Sequence, residues 1–298
     1  MVENRGASVS RAVITVYFVL VAMLFVIPLW LVISSSFSND ADIRKYGYAL
    51  IPKAFDLGAY RTLFRMPGKI VQAYKITFFI SIVGSAASTI VMGLVAYPLS
   101  RTDFAYRRPI SVFIIVTMLV SGGLIPSYIM IMQFLKLGNT LWVYILPSLA
   151  SALYIIIMRT FFQSIPASLV ESAKIDGARE MLIFVRIILP LSTPVIATIA
   201  LFMLLGRWNE WQATLLYIRD ERLYTLQFLL QRILREAQFT KTFLSQLPGQ
   251  MAIAIDKDTP TLSMRYAMTV VAAGPMLIIF PFFQRYFTRG LTIGAVKG

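Results

Sequence analysis

Six intervals of this chain carry no Asp, Glu, Lys or Arg: Ala12 to Asn39, Ile76 to Ser100, Pro109 to Leu135, Leu137 to Met158, Ile187 to Gly206 and Tyr266 to Gln284. About 30 Å of hydrocarbon takes roughly 20 helical residues to cross, and each interval meets or nearly meets that length. A hydrophobic share of 58% and a mean hydropathy of +0.73 leave too little charge to cover a soluble domain of 298 residues. The expectation is an all-α membrane protein with six transmembrane helices, which puts both termini on one side. The first interval is not read as a cleavable signal. Its apolar part, Ala12 to Ile33, exceeds a signal core and lacks a small-x-small cleavage site.

The short loops set the orientation. Arg101, Arg107 and Arg108 crowd the connection between the second and third intervals, whereas the next connection offers only Lys136. Positive residues favour the cytoplasmic side, so both termini are expected there. Arg5 and Arg11 before the first interval, and Arg285, Arg289 and Lys297 after the last, agree with this. The first outer loop runs against it with Arg44, Lys45, Lys53, Arg61, Arg65 and Lys69, but it is long and also holds Asp40, Asp42 and Asp56; a second reading is that some of these cations face an anionic solute or its carrier. The net charge of +14 is accounted for mainly by this bias and by anionic headgroups.

Chemistry within the chain is narrowly bounded. No cysteine and no histidine are present, which removes disulfides, thiolate ligands and the commonest general base and metal ligand. The charge-free intervals also lack the carboxylates that an intramembrane enzyme or an ion-coupled transporter places there. The chain is therefore not expected to be an enzyme, and no metal site is expected.

One polar stretch, Glu171 to Pro190, interrupts the apolar pattern on the side read as cytoplasmic. Pro166 suits a first helical turn, and Leu169, Val170 and Ala173 follow at helical spacing beside Glu171 and Lys174. Gly177 permits a sharp bend. A second helix from Ala178 is expected to turn Met181, Leu182, Val185 and Ile188 to the apolar side, with Pro190 opening the fifth span. Two short helices at an elbow make a knob suited to a socket on a soluble partner.

Glu171-Ser172-Ala173, three residues, Gly177, nine residues and Ile187-Ile188-Leu189-Pro190 resemble the EAA-loop signature of permease subunits of bacterial ABC importers, with Ser172 in place of the second Ala. Further stretches resemble the MalG-type carbohydrate permeases, and among these the branch that imports acidic or complex oligosaccharides such as alginate. They are Ser121 to Pro126, Met158 to Phe162, Asp176 to Ala178, Trp208 to Trp211 and Gly290 to Gly298. The resemblance implies the type I ABC importer permease fold with a cytoplasmic coupling-helix elbow, in a bacterial inner membrane. It implies a second homologous permease, two copies of a cytoplasmic ABC ATPase and an extracytoplasmic solute-binding protein that delivers an oligosaccharide. Membrane lipid surrounds the chain, and nucleic acid is not an expected partner. No G-x-x-x-x-G-K-[ST] phosphate loop occurs, so no cofactor is expected here, and ATP and Mg belong to the partner ATPase. Glu171, Ser172, Ala173 and Gly177 are carried over as ATPase-coupling residues, with Asp176 added for its place in the same elbow. For Glu171 two readings stand: a pair with a cation on the ATPase, or a solvated charge paired with Lys174.

Elsewhere the sequence leaves choices open. Gly122, Gly123 and Pro126 interrupt the third interval, marking either a broken helix along the solute pathway or a packing kink. Trp208, Asn209, Glu210 and Trp211 follow the fifth. They either hold a sugar by stacking and hydrogen bonding or anchor a helix at the headgroups. Gly84, Ser85, Ala86, Ala87, Ser88 and Gly93 form a small-residue face for close packing. Tyr224 to Ala237 reads as an amphipathic outer helix, followed by a polar stretch to about Pro260. The expected organisation is an N-terminal helix and outer loop (1–75), then a permease core of five transmembrane helices (76–290) and a cytoplasmic tail (291–298). The core contains the coupling loop 164–190 and the outer loop 207–265. The competing function is a stand-alone secondary transporter or channel for a sugar or organic anion.

Overall fold

The computed structural model describes residues 5–65, 67–245 and 262–295, and these are helical apart from turns and one isolated bridge between Ser38 and Phe55. The chain divides into two compact units, residues 1–67 with 230–274 and residues 68–229 with 275–298.

The first unit carries α1 (Arg5–Ser36), α2 (Asp40–Tyr46) and α3 (Gly58–Leu63), with parts of α13 (Leu226–Ser245) and α14 (Leu262–Ala295). None of the apolar window of α1 is buried by protein, as expected of a helix whose solvent is lipid. Local capping fixes the outer segment that follows. Asn39 accepts from the Ala41 N–H (2.9 Å) to start α2. Asp40 accepts from the Leu262 and Ser263 N–H groups (3.0 and 2.8 Å), placing a carboxylate on the orphan donors at the start of α14.

The second unit is built on α4 (Pro67–Ser100), which is 34 residues long, and holds two apolar clusters. One gathers Met92, Tyr97, Met158, Phe162, Val170 and Phe184, and the other Ile76, Ile80, Ile131, Val143, Ile145 and Tyr217. Gly84, Ser85, Ser88 and Gly93 are all buried on α4, so the small-residue stretch does face protein, while Ala86 is exposed.

Among the described residues three helices are long and apolar enough to cross a membrane unbroken, in α1, α4 and α14. The other three charge-free intervals are not straight helices. The third consists of α5 (Arg107–Leu119) and α6 (Leu124–Ile129), continued by a wider π turn to Phe134, with a bend of 114° between them. Gly123 sits at this break with φ +82°, a left-handed conformation that glycine adopts without penalty. The fourth is two 3-10 turns, Leu141–Tyr144 and Leu146–Ser148, followed at 51° by α7 (Ala152–Gln163).

The fifth interval was expected to run unbroken from Ile187, with Pro190 at its start. Instead α9 (Glu180–Ile183), a π turn and α10 (Leu189–Leu191) meet α11 (Thr193–Trp208) at 82°. Pro194 occupies the first turn of α11, where its missing N–H costs nothing. Counting each bent pair as one span brings the total to six, by length and composition alone.

Candidate functional site

The elbow begins at α8 (Ala167–Ile175), which Pro166 precedes. It ends in a Schellman motif: the Ala178 N–H donates to the Ala173 carbonyl (2.9 Å) and the Gly177 N–H to the Lys174 carbonyl (3.0 Å). That closure needs a left-handed residue, and Gly177 supplies it at φ +76°. A Cβ added at Gly177 would meet no atom within 4 Å. Backbone conformation, not space within this chain, therefore calls for glycine. Val170 is fully buried and Ala173 and Ala178 pack beside it, which seats α8 on the cluster around Phe184.

Glu171, Ser172, Asp176 and Gly177 lie together on the exposed side of the elbow, with Ala173 half-buried beneath them. The second helix differs from expectation. It starts at Glu180 rather than Ala178, and Ile183, Phe184 and Ile188 are buried. Of the four side chains expected on the apolar side Ile188 is buried and Met181 walls an apolar cavity, while Leu182 and Val185 are not covered by protein. The Schellman closure holds Ala178 in the bend, which delays the helix that follows.

Of the two readings of Glu171, the pair with Lys174 is not formed, because Lys174 is engaged elsewhere. Its Nζ lies 2.8 Å from Asp103 Oδ2 and 2.8 Å from Glu180 Oε1, so it ties α8 to the loop after α4 and to the far side of the bend. The Tyr97 hydroxyl donates to Glu180 Oε2 (2.6 Å). The hydrogen bond from Lys174 holds the Asp103 carboxyl below its usual range, and those with Asp103 and Glu180 hold the Lys174 ammonium above its own. Glu171 makes no ion pair among the described residues. A cavity of about 340 Å³ lies alongside, walled by Leu94, Pro98, Phe104, Met181 and Phe184, with Arg101, Asp103 and Glu180 among its polar lining.

The residues proposed for a pathway sit in different surroundings. Gly122, Gly123 and Pro126 are exposed at the break after α5. Trp208 is only 1% exposed and packs edge-on against Phe78 (5.0 Å between centroids), so neither sugar stacking nor headgroup anchoring is open to it in this conformation. Asn209 is exposed and its Nδ2 donates to the Leu205 carbonyl (2.9 Å). Glu210 accepts from the Ala213 N–H (2.8 Å) and so starts α12 (Gln212–Tyr217). Trp211 is 36% exposed and keeps both readings. The amphipathic helix expected from Tyr224 to Ala237 is observed as α13, which runs from Leu226 to Ser245 and so takes in the start of the expected polar stretch; residues 246–260 of that stretch lie outside the described residues.

An exposed elbow on a multi-pass helical chain is the arrangement the EAA-like spacing implies, and comparison with known proteins agrees. Residues 74–293 match the family described as "Binding-protein-dependent transport system inner membrane component". The chain belongs to this family. It is a multi-pass inner-membrane permease, a transport component and not itself a catalyst. Among its relatives is the polygalacturonan/rhamnogalacturonan transport system permease protein YtcP of Bacillus subtilis (strain 168), 36% identical over 95% of this chain and 96% of that protein. The arabinooligosaccharides transport system permease protein AraQ of Halalkalibacterium halodurans is 28% identical over 99% and 100%. A solved bacterial ABC transporter involved in the import of the acidic polysaccharide alginate superposes with a TM-score of 0.76. It is 27% identical over 96% of this chain and 99% of that one.

The permease also holds a residue that the sequence reading left in a loop. Arg207 ends the fifth apolar interval and was taken as the start of an outer connection, yet it is 5% exposed. Its Nη1 donates to the Tyr144 carbonyl (2.6 Å), and its Nη2 to Ser88 Oγ (2.6 Å) and the Ser148 carbonyl (3.2 Å). A signal was available in the small residues of α4, since a Cβ at Gly84 would stand 2.8 Å from the guanidinium carbon. Among the described residues no group of three or more His, Cys, Asp and Glu could hold a metal ion.

Proposed function

We propose that this permease is the membrane half of an ATP-driven importer of acidic oligosaccharides, passing solute from a binding protein to the cytoplasm by alternating access. The observation that carries the reading is the exposed Schellman elbow at Gly177, which presents Glu171, Ser172 and Asp176 beside a rigid bend on a chain of this family. In this reading those residues, with Ala173 and Gly177, fit a groove on an ABC ATPase. Closure of two ATPase copies moves the elbow and rocks the helices against a second, homologous permease.

The chain then has six spans, three of them bent, with both termini cytoplasmic. Residues 1–75 form an N-terminal helix and outer loop, and 76–290 a core with coupling loop 164–190 and outer loop 207–265. Residues 291–298 form a tail. The break at Gly122, Gly123 and Pro126 and the exposed Asn209 and Trp211 border the route, with Trp208 and Glu210 shaping it from behind.

Two similarities support an acidic solute. Galacturonan and alginate are both built of sugar acids, and the related proteins named for them match this chain over nearly its full length. In the reconstituted complex with its binding protein, oligogalacturonate or oligoalginate is expected to stimulate ATP turnover more than a neutral maltose-like sugar. Equal or reversed stimulation overturns the acidic-solute reading.

A further inference from the structure

Among the described residues no carboxylate lies within ion-pair distance of Arg207, although its side chain is buried in a membrane protein. Glu210, the nearest acid in sequence, gives its Oε1 to the Ala213 N–H and acts on the guanidinium only from beyond ion-pair distance. A buried cation without a counter-ion carries a large desolvation penalty, and within membrane proteins such residues mark working parts more often than packing. What offsets the penalty is specific. Tyr144 and Ser148 are the last residues of the two 3-10 turns, so their carbonyls lack helical N–H donors; each accepts one serine hydroxyl, from Ser148 (3.2 Å) and Ser88 (3.3 Å), and the guanidinium supplies the charged donor to both. Irregular backbone at membrane depth must find such donors inside the protein. Each side thus needs the other.

The slot is shaped for a guanidinium. Gly84 and Ser88 stand one turn apart on the same face of α4: the first leaves room for the flat group, and the second accepts from it while donating to the Ser148 carbonyl (3.3 Å). A planar fork with five donors can serve acceptors in three directions; a lysine ammonium presents three donors at one point.

We propose that Arg207 is a positioning residue of the transport cycle, a clamp that locks α4, the broken turns 141–148 and the end of α11 into one moving body. Separating any two of these would strip a buried cation of acceptors, so alternating access must move them together. The lock also reaches the outer side, because the Tyr144 hydroxyl donates to the Leu223 carbonyl (2.8 Å) and lies 2.8 Å from Thr214 Oγ1. The bearing on transport rests on the importer reading above; the clamp itself does not.

The chain has no cysteine, which gives a clean background for paired spin labels. Labels at Ile90→Cys and Leu146→Cys, both exposed, report the separation of α4 and the turns 141–148. In the complex in lipid, one narrow distance is expected that does not change between the nucleotide-free and ATP-trapped states. Arg207→Gln is expected to broaden it and lower uptake per ATP hydrolysed about tenfold, with the half-saturating solute concentration unchanged. Arg207→Lys should rescue assembly but not the distance. If Arg207→Gln does not assemble, Gly84→Ala, which keeps the arginine but displaces its guanidinium, gives the same readout.

A narrow, wild-type distance with wild-type uptake per ATP in these variants would overturn the clamp, as would a nucleotide-dependent distance in the wild type. If the wild-type complex shows no solute-stimulated hydrolysis, the importer reading fails, while the nucleotide-free distances still decide the clamp.

Discussion

Lys174 and Glu180 meet across the Gly177 bend with Nζ and Oε1 2.8 Å apart, so the elbow is closed by its side chains as well as by its backbone. The same ammonium holds Asp103, which joins the knob to the end of α4. Together with the Tyr97 hydroxyl on Glu180 and the packing of Val170 against Tyr97 and Phe184, this lysine fastens the elbow to the longest described helix of the second unit.

Gly177 should separate conformational from steric effects. Alanine there meets no atom of this chain but must adopt a left-handed backbone, a cost of roughly 1–2 kcal/mol. Proline cannot reach φ +76° at all and should open the elbow. Membrane insertion is expected to survive both. Uptake per ATP hydrolysed should fall modestly in Gly177→Ala and collapse in Gly177→Pro, and unchanged transport in the proline variant would count against a coupling role.

Two glycines on α4 should behave in opposite ways. A Cβ at Gly93 would stand 3.6 Å from Phe184 Cζ, an ordinary contact, so Gly93→Ala is expected to be neutral or stabilising by about 0.5–1 kcal/mol. At Gly84 the added carbon meets Arg207 at 2.8 Å, and a loss of about 1–3 kcal/mol is expected from overpacking. Thermal melting of the two purified variants checks the contrast, and equal melting temperatures would contradict it.

The Lys174 pairs should give a flat pH response near neutrality. Asp103 has a lowered folded pKa, so its contribution is present above the ordinary aspartate value of about 3.9 and lost as pH falls through the lowered one. Lys174 has a raised one, so its contribution is present below about 10.4 and lost as pH rises through the raised value. Both groups are substantially exposed, which limits the effect to about 1 kcal/mol or less. The stability difference between wild type and Lys174→Met should be small and constant from about pH 5 to 9 and shrink outside that window. A steep change near pH 7 would contradict this account of the pair.

The apolar intervals and the elbow were legible because both rest on local signals: uninterrupted hydrophobicity, a proline, and a glycine at a fixed distance from a small-residue run. The first break was legible for the same reason, in Gly122 and Gly123. Arg207 was not, because a charge at the end of an apolar run looks like a loop residue. Its burial depends on acceptors contributed by α4 and by the 141–148 turns, far away in sequence. Trp208 was misplaced for the same reason, since its neighbour Phe78 lies on another helix. The late start of the second helix, at Glu180, follows from a cap geometry that keeps Ala178 in the bend.

The most direct measurement is the subunit composition of the complex, taken by native mass analysis after mild extraction of the tagged chain expressed with its chromosomal neighbours. Recovery with one second permease and two copies of an ATPase is the expected result. Recovery alone, or only as a homo-oligomer, would contradict the account.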